Sequence, residues 1–441
     1  MWPALPALIA AITLHPAPVH TLPAEGSAIF IHPDGTGLGH WGLGRVMWAG
    51  PDGDLAWDTL PAMAIYRPHV KDSLAPQSHS GATVHAYGVK VPMDSFGMDG
   101  AQIPLTPAGE RLSIMRRAMR EGKSVGVVNS GHLAEPGTAV FLASVTDRAR
   151  SHEIVAKQLE GRPNVVLGGG EAFFLPKGAK GRHGAGTRED GRDLVSEARA
   201  AGYTVVFTRE ELAAVPAGTT HLLGLFASSH TFNGQPEEVL LARGATPYLA
   251  DAPTVAEMQR AALRVLEANP KGFLLVVEEE GSDNMSNANN AAGLLEAMRR
   301  ADEAIADAIA FRARRPETLV LVAADSDAGR PQLLALPEKL GVIVRDRPLP
   351  AQLPGDPAPI DGIRGPLSPP FLSAPDRHGA RFPFAVAWAS LEDGGDPVVV
   401  RAEGPGSELV RGSIDSTAVY RVLFEALFGS TPEAARDAKV E

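Results

Sequence analysis

The chain has 441 residues, 44% apolar and 21% charged, with a net charge of -11 from 41 Lys+Arg against 52 Asp+Glu. Its 46 Gly and 37 Pro follow no period, which excludes collagen-like repeats, and the lack of a basic block argues against nucleic-acid or anionic-membrane partners. A Cys count of 0 excludes disulfides, thiolate nucleophiles and Cys-ligated zinc together.

Residues 1–26 hold an apolar run and then a Pro-rich polar stretch, the order of a secretion leader, although no Lys or Arg precedes the run. This predicts a secreted or periplasmic protein, and no segment is long and apolar enough for a membrane span. From residue 27 onward short β-branched runs alternate with helical patterns. Strands are expected at 28–32, 124–128, 164–170, 204–207, 221–226, 273–277, 318–323, 384–389 and 397–400. Helices are expected near 108–121, 150–160, 190–202, 254–268, 290–314 and 415–428. Strand–helix alternation with near-continuous apolar strands predicts a three-layer α/β/α sandwich around a large, mostly parallel central sheet. Residues 27–430 then form a single catalytic domain, and 431–441 a polar tail. The Pro/Gly-rich stretch 345–380 reads as a long excursion over the active-site edge, because a strand pattern resumes directly after it.

Three of these strands deliver a carboxylate at their carboxyl ends. AIFIHP runs into Asp34, FLLVV into Glu278 with Asp283 five residues on, and TLVLVAA into Asp325. That edge of an open α/β sheet is where ligands bind, and carboxylates converging there repel one another unless a cation neutralises them. A site for several metal ions is the economical reading, against the alternative of solvated loop acids or helix caps. Gly37, Gly39 and Gly42 spell G-x-G-x-x-G in the same loop, but Asp34 just ahead of them would face a pyrophosphate, which argues against a dinucleotide site.

In PQSHSGATVHAYGVK (76–90), small residues surround Ser78. Together with IFIHPDGTG, this segment resembles the alkaline phosphatase family, whose nucleophilic serine stands ten residues before the glycine of a Gly-Val-Lys turn. Counting back from Gly88 places that serine at Ser78, with Ala82 and Thr83 also matching and Gln77 standing where the family has Asp. The resemblance continues through Arg148 in SVTDR as the phosphate-binding arginine. It implies Glu278, Asp283, Asp325 and His378 in DRHGA as metal ligands beside Asp34 and Ser78. For a further ligand before Arg148 it leaves two choices, Glu135 by alignment on Pro136 or Thr138 by counting from Arg148. It implies two or three divalent ions, hydrolysis of small-molecule phosphate monoesters through a phosphoserine, and an oligomeric state left open, a homodimer included.

The chain departs from the family where the latter has two metal-binding histidines. Asn287 and Ser326 stand there, so both imidazoles become oxygen donors and the ligand set favours Mg²⁺, with Ca²⁺ or Zn²⁺ as alternatives. His79 and His85 flank the serine as candidates for phosphate contacts or hydrogen-bonded support. Asn284, Asn289 and Asn290 read as caps for the helix after them, Glu279 and Glu280 as solvated or hydrogen-bonded neighbours of Glu278, and His32 and His40 have no ligand spacing. Two other functions stay open: phosphodiester or sulfate-ester hydrolysis at a related site, and metal or phosphate binding without catalysis.

Overall fold

The computed structural model describes residues 26–336, 347–350, 352 and 359–437. The expected leader 1–26 therefore lies outside the described residues except for Gly26, as do parts of the 345–380 excursion and of the 431–441 tail. Within that tail Pro432–Asp437 forms a short helix.

In chain order the strands are β1 (Ser27–Pro33), β2 (Ala62–Arg67), β3 (Ser124–His132), β4 (Val165–Gly169), β5 (Thr204–Val206), β6 (Leu222–Leu225), β7 (Phe273–Glu279) and β8 (Thr318–Val322). They continue with β9 (Asp327–Ala328), β10 (Pro331–Ala335), β11 (Ile360–Asp361), β12 (Phe371–Leu372), β13 (Pro383–Trp388), β14 (Asp393–Gly394), β15 (Val398–Glu403) and β16 (Arg411–Asp415). Ten of them make one sheet in the order β16-β2-β15-β8-β1-β7-β3-β4-β6-β5. Only β15 runs antiparallel to its neighbours β2 and β8, so the sheet is mostly parallel, as the pattern predicts. β2 and β16 carry weak apolar patterns and are edge-side additions that sequence periodicity did not reveal. The 384–389 run forms a strand but joins β10, β11 and β12 in a separate small sheet.

β1 shows why both faces are covered. Ala28 and Phe30 point into one core with Ala82, Ala86 and Leu423, while Ile29 and Ile31 point into the other with Leu294, Met298 and Val265. Alternation of apolar side chains to both faces leaves no polar side in a central strand. The helix Ala291–Arg314 is capped by Asn290, whose side chain accepts from Gly293 N–H, as expected of that residue. No helix among the described residues is long and apolar enough to cross a membrane.

Candidate active site

β1, β7 and β8 are neighbours in register, so the carboxylates that follow their apolar runs meet at one edge. Asp34, Glu278 and Asp325 are fully buried there, as is His32 two residues before Asp34. Side-chain atoms of His32, Asp34 and Asp325 fall within 4.8 Å of one another, and so do those of Asp34, Glu278 and Glu280. Both carboxylate oxygens of Asp34 and of Asp325, together with Glu278 Oε1, Glu280 Oε2 and Ser326 Oγ, are buried without a hydrogen-bond partner. Burial and the neighbouring Asp34 push the Glu278 carboxyl up to about 8. The same two causes raise Asp325 well above the ordinary carboxylate range. Burial also acts to raise Asp34, but the His32 ring beside it holds it below its ordinary value. Such a cluster sheds its negative charge by taking up protons, and divalent cations would relieve the repulsion in their place. The orphaned oxygens fit that occupant.

Ser78 opens the helix Ser78–Tyr87 and stands beside Asp34, close enough to help hold its carboxyl below the ordinary range. Gly81 on the same turn lies against Asp325. Ser80 is turned to the backbone instead, donating to Gln77 O at 2.9 Å and accepting from Gln77 N–H at 3.1 Å. The helix N-terminus, whose free N–H groups favour anions, therefore faces the carboxylate cluster with Ser78 at the junction.

Arg148 enters from the loop after β3. Its guanidinium donates to His79 Nδ1 at 3.3 Å and pairs with Glu135 Oε2 at 3.4 Å. Burial and the Arg148 charge lower His79 to about 4, so the ring is neutral and accepts from Arg148. His85 lies deeper, 3.2 Å from the Tyr66 hydroxyl and edge-on to His32, and does not face Arg148.

Asp283 and Asn287 lie on the helix Gly281–Asn287, where a spacing of four puts them on one face. Asn287 Nδ2 donates to Asp283 at 3.2 Å and 3.3 Å and to Asp393 at 3.0 Å, while its carbonyl accepts from Gly329 N–H at 3.1 Å. A backbone N–H can only donate, which fixes the amide orientation. Asn287 therefore turns nitrogen, not oxygen, toward the carboxylates, contrary to its expected place as an oxygen donor.

His378 is not brought to this edge. It is exposed on a turn closed by Asp376, which accepts from His378 N–H, and the adjoining Arg377 pairs with Asp52. That turn packs on Gly50, past the C-terminal end of the helix Leu38–Trp48, whereas Gly37 before the helix meets Asp327. An 11-residue helix spans about 16 Å, so the turn lies a helix length from the carboxylates. Asp393 of β14 stands beside Asp283 instead, because β14 pairs with β9 directly after Asp325 and Ser326. Glu135 and Thr138 both stand beside the Asp34–Glu278 group: burial and repulsion from Glu135 raise Glu280, and the Asn129 amide donates to both Thr138 and Glu278. Glu135 Oε1 faces His132 Nε2 at 3.0 Å and His230 Nε2 at 3.7 Å, and Thr138 Oγ accepts from Asn129 at 2.9 Å. Glu280 completes that group, and it is buried rather than solvated. Glu279 is also buried, with Tyr248 and Ser130 each donating to it at 2.7 Å.

The alkaline phosphatase family model matches residues 43–330. The chain belongs to the alkaline phosphatase family. It is 32% identical over 306 residues to alkaline phosphatase H of Pseudomonas aeruginosa, covering 61% of this chain and 62% of that protein. It is 27% identical over 446 residues to streptomycin-6-phosphate phosphatase of Streptomyces griseus, covering 91% of this chain and 90% of that one. The chain thus spans about three fifths of the length of the Pseudomonas relative. Among solved structures, that of Thermus thermophilus alkaline phosphatase superposes with a TM-score of 0.70 at 23% identity, covering 99% of this chain and 100% of that one. The α/β sandwich is therefore the fold of alkaline phosphatases, and the carboxylate edge built here lies within it.

Proposed function

We propose that this chain hydrolyses phosphate monoesters with the help of divalent cations, Ser78 acting as the nucleophile. The observation that carries the reading is Ser78 at a helix N-terminus, beside Asp34 and above a cluster of buried carboxylates whose oxygens lack partners. Asp34, Asp325, Glu278 and Glu280 would hold cations on one side and Asp283 with Asp393 on the other. Bound there, divalent cations supply charge neutralisation for the phosphate oxygens and acidify nearby hydroxyls. Arg148 offers the nonbridging oxygens a planar fork, and His79 and Glu135 hold that fork in place.

Ser78 Oγ, losing its proton, forms a bond to phosphorus as the ester P–O bond breaks and the alcohol leaves with a proton. Water then attacks the phosphoserine, restoring the Ser78 hydroxyl and releasing inorganic phosphate. Positioning and electrostatics carry most of the rate in such a displacement. Mostly oxygen donors favour Mg²⁺ or Ca²⁺ over Zn²⁺. The test is turnover of an aryl phosphate by metal-free protein reloaded with Mg²⁺, Ca²⁺, Mn²⁺ and Zn²⁺ separately, with acid-quenched protein analysed for phosphoserine at Ser78. Turnover with one or more ions and a label on Ser78 are expected, and inactivity with all four ions would defeat the proposal.

A further inference from the structure

His32 has no place in the mechanism above, yet it is fully buried at the centre of the cluster. It lies near the end of β1, and Asp34 follows in the turn directly after Pro33, so that the two side chains come together. Its Nδ1 stands 2.8 Å from Ala323 O. A carbonyl only accepts, so Nδ1 carries a proton and Nε2 is the nitrogen left for another partner. Nε2 has no hydrogen-bond partner, although it stands 3.3 Å from Asp34 Oδ1 and 3.9 Å from Asp325 Oδ1. Phe30 and His85 pack on the ring at centroid distances of 5.9 Å and 5.6 Å and fix its plane.

We infer that His32 Nε2 is a metal ligand, completing with Asp34 and Asp325 a mixed nitrogen–oxygen site. The inference rests on the proposed reading that divalent cations occupy this edge. One ring nitrogen donating to a backbone carbonyl while the other faces carboxylates is how proteins orient a metal-binding imidazole. The imidazole missing at Ser326 is thereby supplied from β1, beneath the carboxylates, rather than from the residue after Asp325. The sub-sites then differ in chemistry. His32, Asp34 and Asp325 suit a borderline ion such as Zn²⁺ or Mn²⁺, whereas Asp34, Glu278 and Glu280 offer oxygen only and suit Mg²⁺ or Ca²⁺.

The experiment uses the full chain with ¹⁵N-labelled histidine, stripped of metal and loaded with Mn²⁺ as the probe, read by electron spin-echo modulation. Coupling to a directly bound imidazole nitrogen is expected in the parent and absent from His32→Gln. Zinc retention against a chromophoric chelator should be at least about tenfold weaker in that variant. If His32→Gln does not fold, the parent signal is compared with variants in which His40, His79, His85, His132 or His230 is replaced by Gln. Retention of the coupling in each supports His32, and its loss in any one of them overturns the assignment. Mn²⁺ bound without nitrogen coupling in the parent sinks this inference alone and leaves a cation-dependent phosphatase standing. No Mn²⁺ binding at all would overturn both.

Discussion

Gly81 meets Asp325 with no side chain between them: a β-carbon at Gly81 would fall 2.6 Å from Asp325 Oδ2 and 3.0 Å from its carboxyl carbon. The helix that carries Ser78 can approach the carboxylate edge only because this position is bare. Gly81→Ala sets two effects against each other. Helix propensity favours Ala by about 1 kcal/mol, but the added methyl must push Asp325 or the helix aside. Because Asp325 is fully buried, the steric effect should win at the site. Thermal unfolding of metal-free Gly81→Ala should change little, while divalent-ion affinity and aryl phosphate turnover fall by about tenfold or more. Parent-like ion affinity and turnover would show that the helix has room to shift.

Ser78 and Ser80 lie on one helical turn but face different partners, so their variants should separate. Ser78→Ala should lower turnover on the order of 10⁴-fold and abolish phosphoserine while leaving the unfolding midpoint unchanged. Ser80→Ala removes the two bonds to Gln77 and should cost about 1 kcal/mol of stability with turnover retained. Kinetics and melting curves on both proteins check this, and phosphorylation of Ser80 in the parent would reverse the assignment.

Arg148 touches only His79 and Glu135 among the site residues and cannot bind a cation. Arg148→Ala should therefore weaken competitive inhibition by inorganic phosphate about 10- to 100-fold through loss of the charge-assisted fork. Metal content, measured by elemental analysis, should match the parent. Unchanged phosphate inhibition would remove Arg148 from the substrate site.

The parts of this site that could be read from the sequence are those fixed by local pattern. Asp34, Glu278 and Asp325 each end an apolar strand, and parallel register then brings them together. Ser78 is set by its distance from a turn in which Gly88 adopts the left-handed conformation at φ 71°. What could not be read depends on contacts between distant segments. Asp393 reaches Asp283 through a two-residue pairing of β14 with β9, and a two-residue strand has no periodicity to detect. DRHGA offered a histidine in a suggestive setting, yet its turn is drawn to Asp52 and Gly50. Glu280 could not be told from Glu279 in a run of three Glu, since Tyr248, 31 residues upstream, is what occupies Glu279. The stack of His132, the last residue of β3, on His230, at a centroid distance of 4.5 Å, likewise joins segments 98 residues apart.

Away from the site, Glu237 and Asp361 give the fold a pH dependence of its own. Burial, with Asp361 nearby, pushes the Glu237 carboxyl up to about 8, and burial pushes Asp361 up to about 7. For each, the folded-state value exceeds the unfolded one, so stability is fully present below the unfolded value and is lost as pH rises through the folded value. The Glu237 window runs from its ordinary 4.5 to about 8. Within it the loss amounts to at most about 1.4 kcal/mol per pH unit. Glu237→Gln keeps an oxygen to accept from Ala292 N–H, as Oε1 does at 2.9 Å, and cannot ionise. Its unfolding midpoint should match the parent near pH 5 and exceed it near pH 9. Parallel curves for the two proteins would mean that Glu237 ionises without cost.

Asn287 takes up with its amide nitrogen the space between Asp283 and Asp393 that an imidazole or a cation could share. In doing so it lends each carboxylate a donor, which eases their mutual repulsion, and it keeps nitrogen lone pairs out of this half of the site. Asn287→His removes that donor and presents a ring nitrogen between two carboxylates, a borderline set in place of an oxygen-only one. The side chain is half-buried, so the larger ring can be accommodated toward solvent. Activation by Zn²⁺ relative to Mg²⁺ should then rise on the order of tenfold, and Zn²⁺ should raise the unfolding midpoint more in the variant than in the parent. The Gly329 N–H loses its acceptor in this exchange, a cost of about 1 kcal/mol that should appear in the metal-free protein and be recovered on Zn²⁺ binding. A folded, fully loaded variant with the parent's ranking of ions would show that Asn287 braces Asp283 and Asp393 without facing a cation.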